Sequence, residues 1–134
     1  AGGAAPDRVE TGIMVEVPAT AIAIDHFPAD FYSIGSNDLS QYVMAAARDN
    51  RALASLLDPT QEALLRLVEN VVRFGRQSGR SVSLCGEAAG DPQAVPKLLE
   101  RGLRSLSVAP AALGRVKLEI SGLTLAGDGE RDER

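Results

Sequence analysis

Residues 31–48 read F-Y-S-I-G-S-N-D-L-S-Q-Y-V-M-A-A-A-R, and the folding of this stretch organises the rest of the chain. Phe31, Tyr32, Ser33 and Ile34 form a short apolar run of the kind that makes a buried strand. Gly35 and Ser36 stop it. Leu39, Tyr42, Val43 and Ala46 then recur with helical spacing, so a helix is expected from Leu39 to Arg48. Asn37 and Asp38 fall between strand and helix, where parallel α/β sheets and barrels place their chemistry. Asp38 can offer a carboxylate to a hard cation, and Asn37 an amide to an oxyanion. Arg48, about three helical turns on, can grip a phosphate or carboxylate bidentately. The plainer alternative is that Asn37 or Asp38 only caps the helix and Arg48 is a solvated charge. This stretch alone leaves both open.

Upstream, residues 12–17 (G-I-M-V-E-V) predict a strand that is nearly all apolar, as a strand covered on both faces should be. Its exception, Glu16, lies near the C-terminal end. Pro18 suits the first position of a helix running from Ala19 to His26. Downstream, residues 49–60 read as a loop. Residues 61–77 predict a long helix with a wide apolar face, and Gly79 a residue that ends it. Residues 81–85 (S-V-S-L-C) predict a third strand, with a mouth loop at 86–91. Asp91 and Pro92 open a helix that ends before Gly102. Residues 104–108 predict a fourth strand, and Pro110 starts a last helix to Ile120. Residues 1–11 are expected to be a lead-in and 121–134 a polar, flexible tail.

Four strands alternating with helices define an α/β chain of four parallel βα units. Each strand ends in polar groups: Glu16; Asn37 with Asp38; Cys85 with Glu87; and Ser107. No glycine-rich phosphate fingerprint of the dinucleotide or P-loop type occurs, so a barrel is favoured over a dinucleotide fold.

The 134 residues make one domain or a piece of one, and 45% apolar content is ample for a core. A net charge of -4 argues against nucleic-acid and anionic-membrane binding. The single cysteine excludes an intrachain disulfide and fits a reducing, cytoplasmic setting. No run approaches the ~18–20 apolar residues of a membrane span. The start, A-G-G-A-A-P-D-R, lacks the apolar segment of a signal peptide and an initiator Met, which fits an excised fragment, although Met removal before Ala leaves the same start.

G-I-M-V-E-V-P-A at 12–19, S-I-G-S-N-D-L-S-Q-Y at 33–42, C-G-E-A-A-G-D at 85–91 and L-S-V-A-P-A at 106–111 occur in an order and spacing that resemble one family. It is the phosphoenolpyruvate-binding domain of Enzyme I, the phosphoenolpyruvate–protein phosphotransferases of the bacterial phosphotransferase system. Pyruvate phosphate dikinase and phosphoenolpyruvate synthase share the same barrel. The resemblance covers about residues 12–116. It implies that residues 12–120 are the second half of an eight-stranded (β/α)8 TIM barrel. It implies Mg2+ as cofactor with Glu16 and Asp38 as ligands, Asn37, Asp38 and Arg48 as substrate-binding residues, and Cys85 as the acid that protonates the enolate of pyruvate. Magnesium takes a few carboxylates plus substrate oxygens, whereas a thiol beside a metal is deprotonated, so Cys85 is expected to stand off the ion.

Around Arg48 the sequence Ala47-Arg48-Asp49-Asn50 departs from the family's usual Asp-Arg-Gly-Asn. The family's other phosphate-gripping arginines belong to the first four strands, and its phosphoacceptor histidine to a separate domain, both absent here. His26 matches no phosphohistidine motif and reads as a surface residue. The resemblance therefore implies part of a phosphotransferase, inactive alone, that reaches a phosphocarrier protein through upstream domains and pairs as a homodimer. It covers both a sugar-transport and a nitrogen-related branch. The alternatives are a dimerisation or interaction module, and a Mg-dependent pyruvate or enolate lyase. Gln41 and Tyr42 read as packing and helix-surface residues.

Overall fold

The computed structural model describes residues 7–124; the lead-in up to residue 6 and the tail from residue 125 lie outside them. Strands β1 (Gly12–Val15), β2 (Phe31–Gly35) and β3 (Ser81–Cys85) form a parallel sheet in that order. Gly12 pairs with Phe31, Val15 with Ile34, and Gly35 with Cys85. Because the strands are parallel and in register, their C-terminal ends finish side by side.

Helix α1 (Pro18–Ile22) is shorter than predicted, and a separate 3-10 turn at Ile24–His26 follows it. Pro18 takes the first turn as expected. Helix α2 (Ser36–Met44) begins directly after β2. The expected loop at 49–60 contains a 3-10 helix, Arg51–Leu57, started by the Asn50 carboxamide, which accepts the Ala52 N–H. Helix α3 (Glu62–Ser78) ends at Gly79 in the left-handed conformation. Helix α4 (Ala94–Glu100) follows a turn in which Asp91 Oδ1 accepts the N–H groups of Gln93 and Ala94 at 2.8 and 2.9 Å. Helix α5 (Leu113–Ser121) comes last.

The predicted fourth strand does not form as a strand. Residues 104–108 make one parallel bridge, Leu84 with Leu106, through Leu84 N–H to Ser105 O (3.0 Å) and Ser107 N–H to Leu84 O (2.8 Å). The ladder is short because β3 ends at Cys85 and turns away at Gly86, while Arg104 folds back onto the carbonyls of Leu99 and Leu103.

The core lies on one face of the sheet. Val15, Tyr32, Ile34 and Leu84 are buried with Leu64, Val68 and Val71 of α3. Each such side chain contributes about 1.5–3 kcal/mol on burial. The buried Tyr32 ring meets Phe74 edge-on at 5.8 Å, and its hydroxyl donates to Phe27 O at 3.0 Å. Met14, which alternation puts on the opposite face, is 47% exposed, and the Phe31 that covers Gly12 is also exposed. The expectation of a first strand covered on both faces is therefore met on one face only.

Candidate functional site

Glu16, one residue beyond β1, leans across β2. A Cβ placed on Gly35 would sit 3.1 Å from both Cβ and Oε2 of Glu16, and 3.2 Å from Met14 Sδ. Any side chain at position 35 would press on the carboxylate. Cys85, the last residue of β3, has its Sγ 3.9 Å from Met14 Sδ and 3.9 Å from Ser33 Oγ. Strand register thus brings Glu16 and Cys85 to the two sides of Gly35 on one rim.

The β2–α2 junction is bonded to the loop after β3. Ser36 Oγ donates to Cys85 O at 2.7 Å, and Asn37 Oδ1 accepts the Glu87 N–H at 2.9 Å. Because a backbone N–H can only donate, this bond fixes the amide's orientation and leaves Asn37 Nδ2 as the outward donor. Gly86 makes the approach possible. Its φ is +99°, and a Cβ there would collide with Ser36 Oγ and lie 2.9 Å from Asn37 Oδ1. The residue that caps α2 is Gly35, so neither Asn37 nor Asp38 is the helix cap. Ser36 and Gly86 are site residues that the sequence reading did not single out; a Ser before Asn37 and a Gly after Cys85 were the only signal.

Arg48 reaches the site by a route the sequence reading did not foresee. Had α2 continued through Ala45, Ala46 and Ala47, Arg48 would lie ~15 Å beyond Asp38 along the axis. Instead α2 ends at Met44, and Ala45 takes a left-handed φ of 51°. The chain doubles back, with Ala46 N–H to Gln41 O and Arg48 N–H to Gln41 Oε1, both at 3.1 Å. Arg48 Nη1 then donates to Asp38 Oδ1 at 3.3 Å. Both side chains are more than 40% exposed, so the pair contributes about 0–1 kcal/mol and is readily exchanged for another partner. A cavity of about 780 Å³ opens here, lined by Asn37, Asp38, Gln41, Arg48, Glu87 and Asp91 among others. Glu16 and Cys85 do not line it; they stand on the sheet side of the rim.

Among the described residues no group of three or more His, Cys, Asp or Glu side chains forms a metal cage. Two carboxylates, Glu16 and Asp38, follow adjacent strands. That donor set fits Mg2+, which binds through one or two carboxylates completed by substrate oxygens and water. His26 is exposed beside Asp25, 3.7 Å away, in the 3-10 turn after α1, as its surface reading predicts. No helix among the described residues is long and apolar enough to cross a membrane.

The Asp38 carboxylate, the Arg48 guanidinium and the Asn37 amide thus meet at one cavity at the strand mouths of an α/β domain. The chain belongs to the PEP-utilising enzymes: residues 1–125 match the family described as PEP-utilising enzyme, PEP-binding domain. It is 43% identical over 118 residues to a phosphoenolpyruvate-protein phosphotransferase of Streptococcus equinus, covering 87% of this chain and 20% of that protein. Proteins of the same name are 43% identical over 126 residues in Bacillus subtilis (92% of this chain, 22% of that protein) and 42% identical over 120 residues in Staphylococcus epidermidis (88% and 21%). The chain spans about a fifth of the length of these relatives.

Proposed function

We propose that this chain is the C-terminal half of the phosphoenolpyruvate-binding barrel of a Mg-dependent phosphotransferase, with residues 12–120 as the half barrel. The complete protein would pass the phosphoryl group of phosphoenolpyruvate to a histidine on another domain and release pyruvate. The observation that carries the reading is the return of Arg48 to Asp38 at the mouth where Asn37 also sits. The sheet supports it. Parallel sheets are covered on both faces, and here, among the described residues, Met14 and Phe31 are exposed on the face that also bears Ser33 and Cys85.

In this reading Arg48 leaves Asp38 for the substrate's phosphate or carboxylate, and Asn37 Nδ2 donates to a phosphoryl oxygen. Glu16 and Asp38 would hold Mg2+, whose chemistry would be to neutralise charge on a transferred phosphoryl group. The bridging P–O bond breaks, a P–N bond to the acceptor histidine forms, and the enolate takes a proton on carbon from the Cys85 thiol. Bulk solvent then reprotonates Cys85. Positioning and electrostatics do most of the work, as phosphoryl transfer requires.

The test is pyruvate release from phosphoenolpyruvate, Mg2+ and phosphocarrier protein. The natural longer protein should release pyruvate, and the isolated 134 residues should not; turnover by the isolated chain would show that the missing strands and domains are dispensable. The open sheet face also favours a second role, a dimerisation surface of the same protein, as an addition to the catalytic one.

A further inference from the structure

We propose that Gln41 is a positioning residue for Arg48, and through it for the anionic end of the substrate. The inference rests on the function proposed above. Gln41 lies one turn after Asp38 on α2, so both face the same cavity. Its main-chain carbonyl accepts the N–H groups of Ala45 and Ala46, the two residues at which the helix breaks. Its side-chain Oε1 accepts the N–H of Arg48, seven residues on. One residue therefore holds both ends of the turn that reverses the chain.

Nothing in the local sequence favours a break at this place. Met-Ala-Ala-Ala-Arg is a run of strong helix formers, and Ala in the left-handed region is strained. What opposes continuation is tertiary: Ala46 is buried, and the Gln41 amide offers Arg48 a bond that an unbroken helix would not provide. Without that acceptor, the exposed residues Ala47 to Asn50 keep one link to each other, Asn50 N–H to Ala47 O at 3.1 Å, and Arg48 loses its main-chain anchor on α2. The guanidinium then swings free of Asp38. Gln41 does not touch the phosphoryl group; it sets where Arg48 waits.

Two variants separate this role from a merely structural one. Gln41→Met keeps the length but removes the acceptor; Gln41→Glu keeps an acceptor oxygen. In the natural full-length protein, amide hydrogen exchange at Arg48 should speed up at least about tenfold in Gln41→Met and stay slow in Gln41→Glu. Unchanged protection of Arg48 in Gln41→Met overturns the positioning role, whatever the activity. The second arm is a double-mutant cycle on phosphoenolpyruvate turnover. Gln41→Met should lower kcat/KM about tenfold or more in the parent protein and less than about twofold on an Arg48→Ala background, with Gln41→Glu restoring most of the loss. Equal losses on both backgrounds also overturn it. A parent protein that does not turn over phosphoenolpyruvate refutes the proposed function, and the exchange result then decides the geometry alone.

Discussion

Gly86 and Ala45 show how single backbone positions shape the rim, and they act in opposite directions. At Gly86 the φ of +99° and the crowding by Ser36 and Asn37 leave no room for a side chain. Gly86→Ala should cost about 1–3 kcal/mol, read as a lower urea midpoint, because both strain and a clash are introduced. An unchanged midpoint would mean the loop after β3 is not held as described. Ala45, at φ 51°, carries left-handed strain that glycine would relieve. Ala45→Gly should stabilise by about 0.5–1 kcal/mol, the relief being partly offset by the freer unfolded chain. Cys85 Sγ lies 3.9 Å from both Met14 Sδ and Ser33 Oγ, and it is the proton donor only under the function proposed above.

At the scale of elements, periodicity carried most of the information. Leu64, Leu65, Val68, Val71 and Val72 repeat with helical spacing, and α3 forms as predicted. The strands at 12, 31 and 81 start where their apolar runs start. Helix ends were less legible. The break after Met44 depends on a contact across seven residues, which no local pattern contains. Residues 104–108 have a strand's composition, yet pairing beyond one bridge needs partner backbone that β3 stops supplying at Cys85. In the site, strand-end position pointed to Glu16, Asn37, Asp38, Cys85, Glu87 and Ser107, and the family resemblance gave Glu16, Asn37, Asp38, Arg48 and Cys85 their expected roles; neither contained the bonds that set Asn37 and Arg48.

Charge clamps tie the elements together, and their sign can be checked. Arg101, the residue that caps the end of α4, donates to Glu62 at 2.8 Å and Glu69 at 2.9 Å, joining α4 to α3. Hydrogen bonds from Arg66 and then Arg101 hold the Glu62 carboxyl below its ordinary pKa. The Thr11 N–H, ahead of Arg8, does the same for Asp30, which ties the entry to β1 to the start of β2. A depressed folded-state pKa gives stability that is present above the unfolded value, about 4 for a carboxylate, and is lost as pH falls through the folded value. Urea unfolding should therefore show stability declining below about pH 5, and Asp30→Asn should flatten that decline. A decline just as steep in the variant would place the acid sensitivity elsewhere.

For the whole molecule, the central feature is a three-stranded parallel sheet whose main core, among the described residues, lies on one face. Met14 and Phe31 lie exposed, β1 is an edge strand among the described residues, and such surface recruits partners. The isolated chain should therefore self-associate at micromolar concentration, measured by light scattering; a clean monomer would count against the dimerisation role. The proposed catalysis asks more of the fold, because the ends of separate strands must serve one ligand. Glu16 follows β1, Asp38 follows β2, and Cys85 closes β3, so the rim has meaning only if these ends work together.

The most direct measurement is the affinity of the natural full-length protein for phosphoenolpyruvate as Mg2+ is varied, in the parent and in Glu16→Gln and Asp38→Asn. The account predicts that Mg2+ tightens binding in the parent and that this dependence is lost in both variants. The same Mg2+ dependence in all three proteins would contradict it.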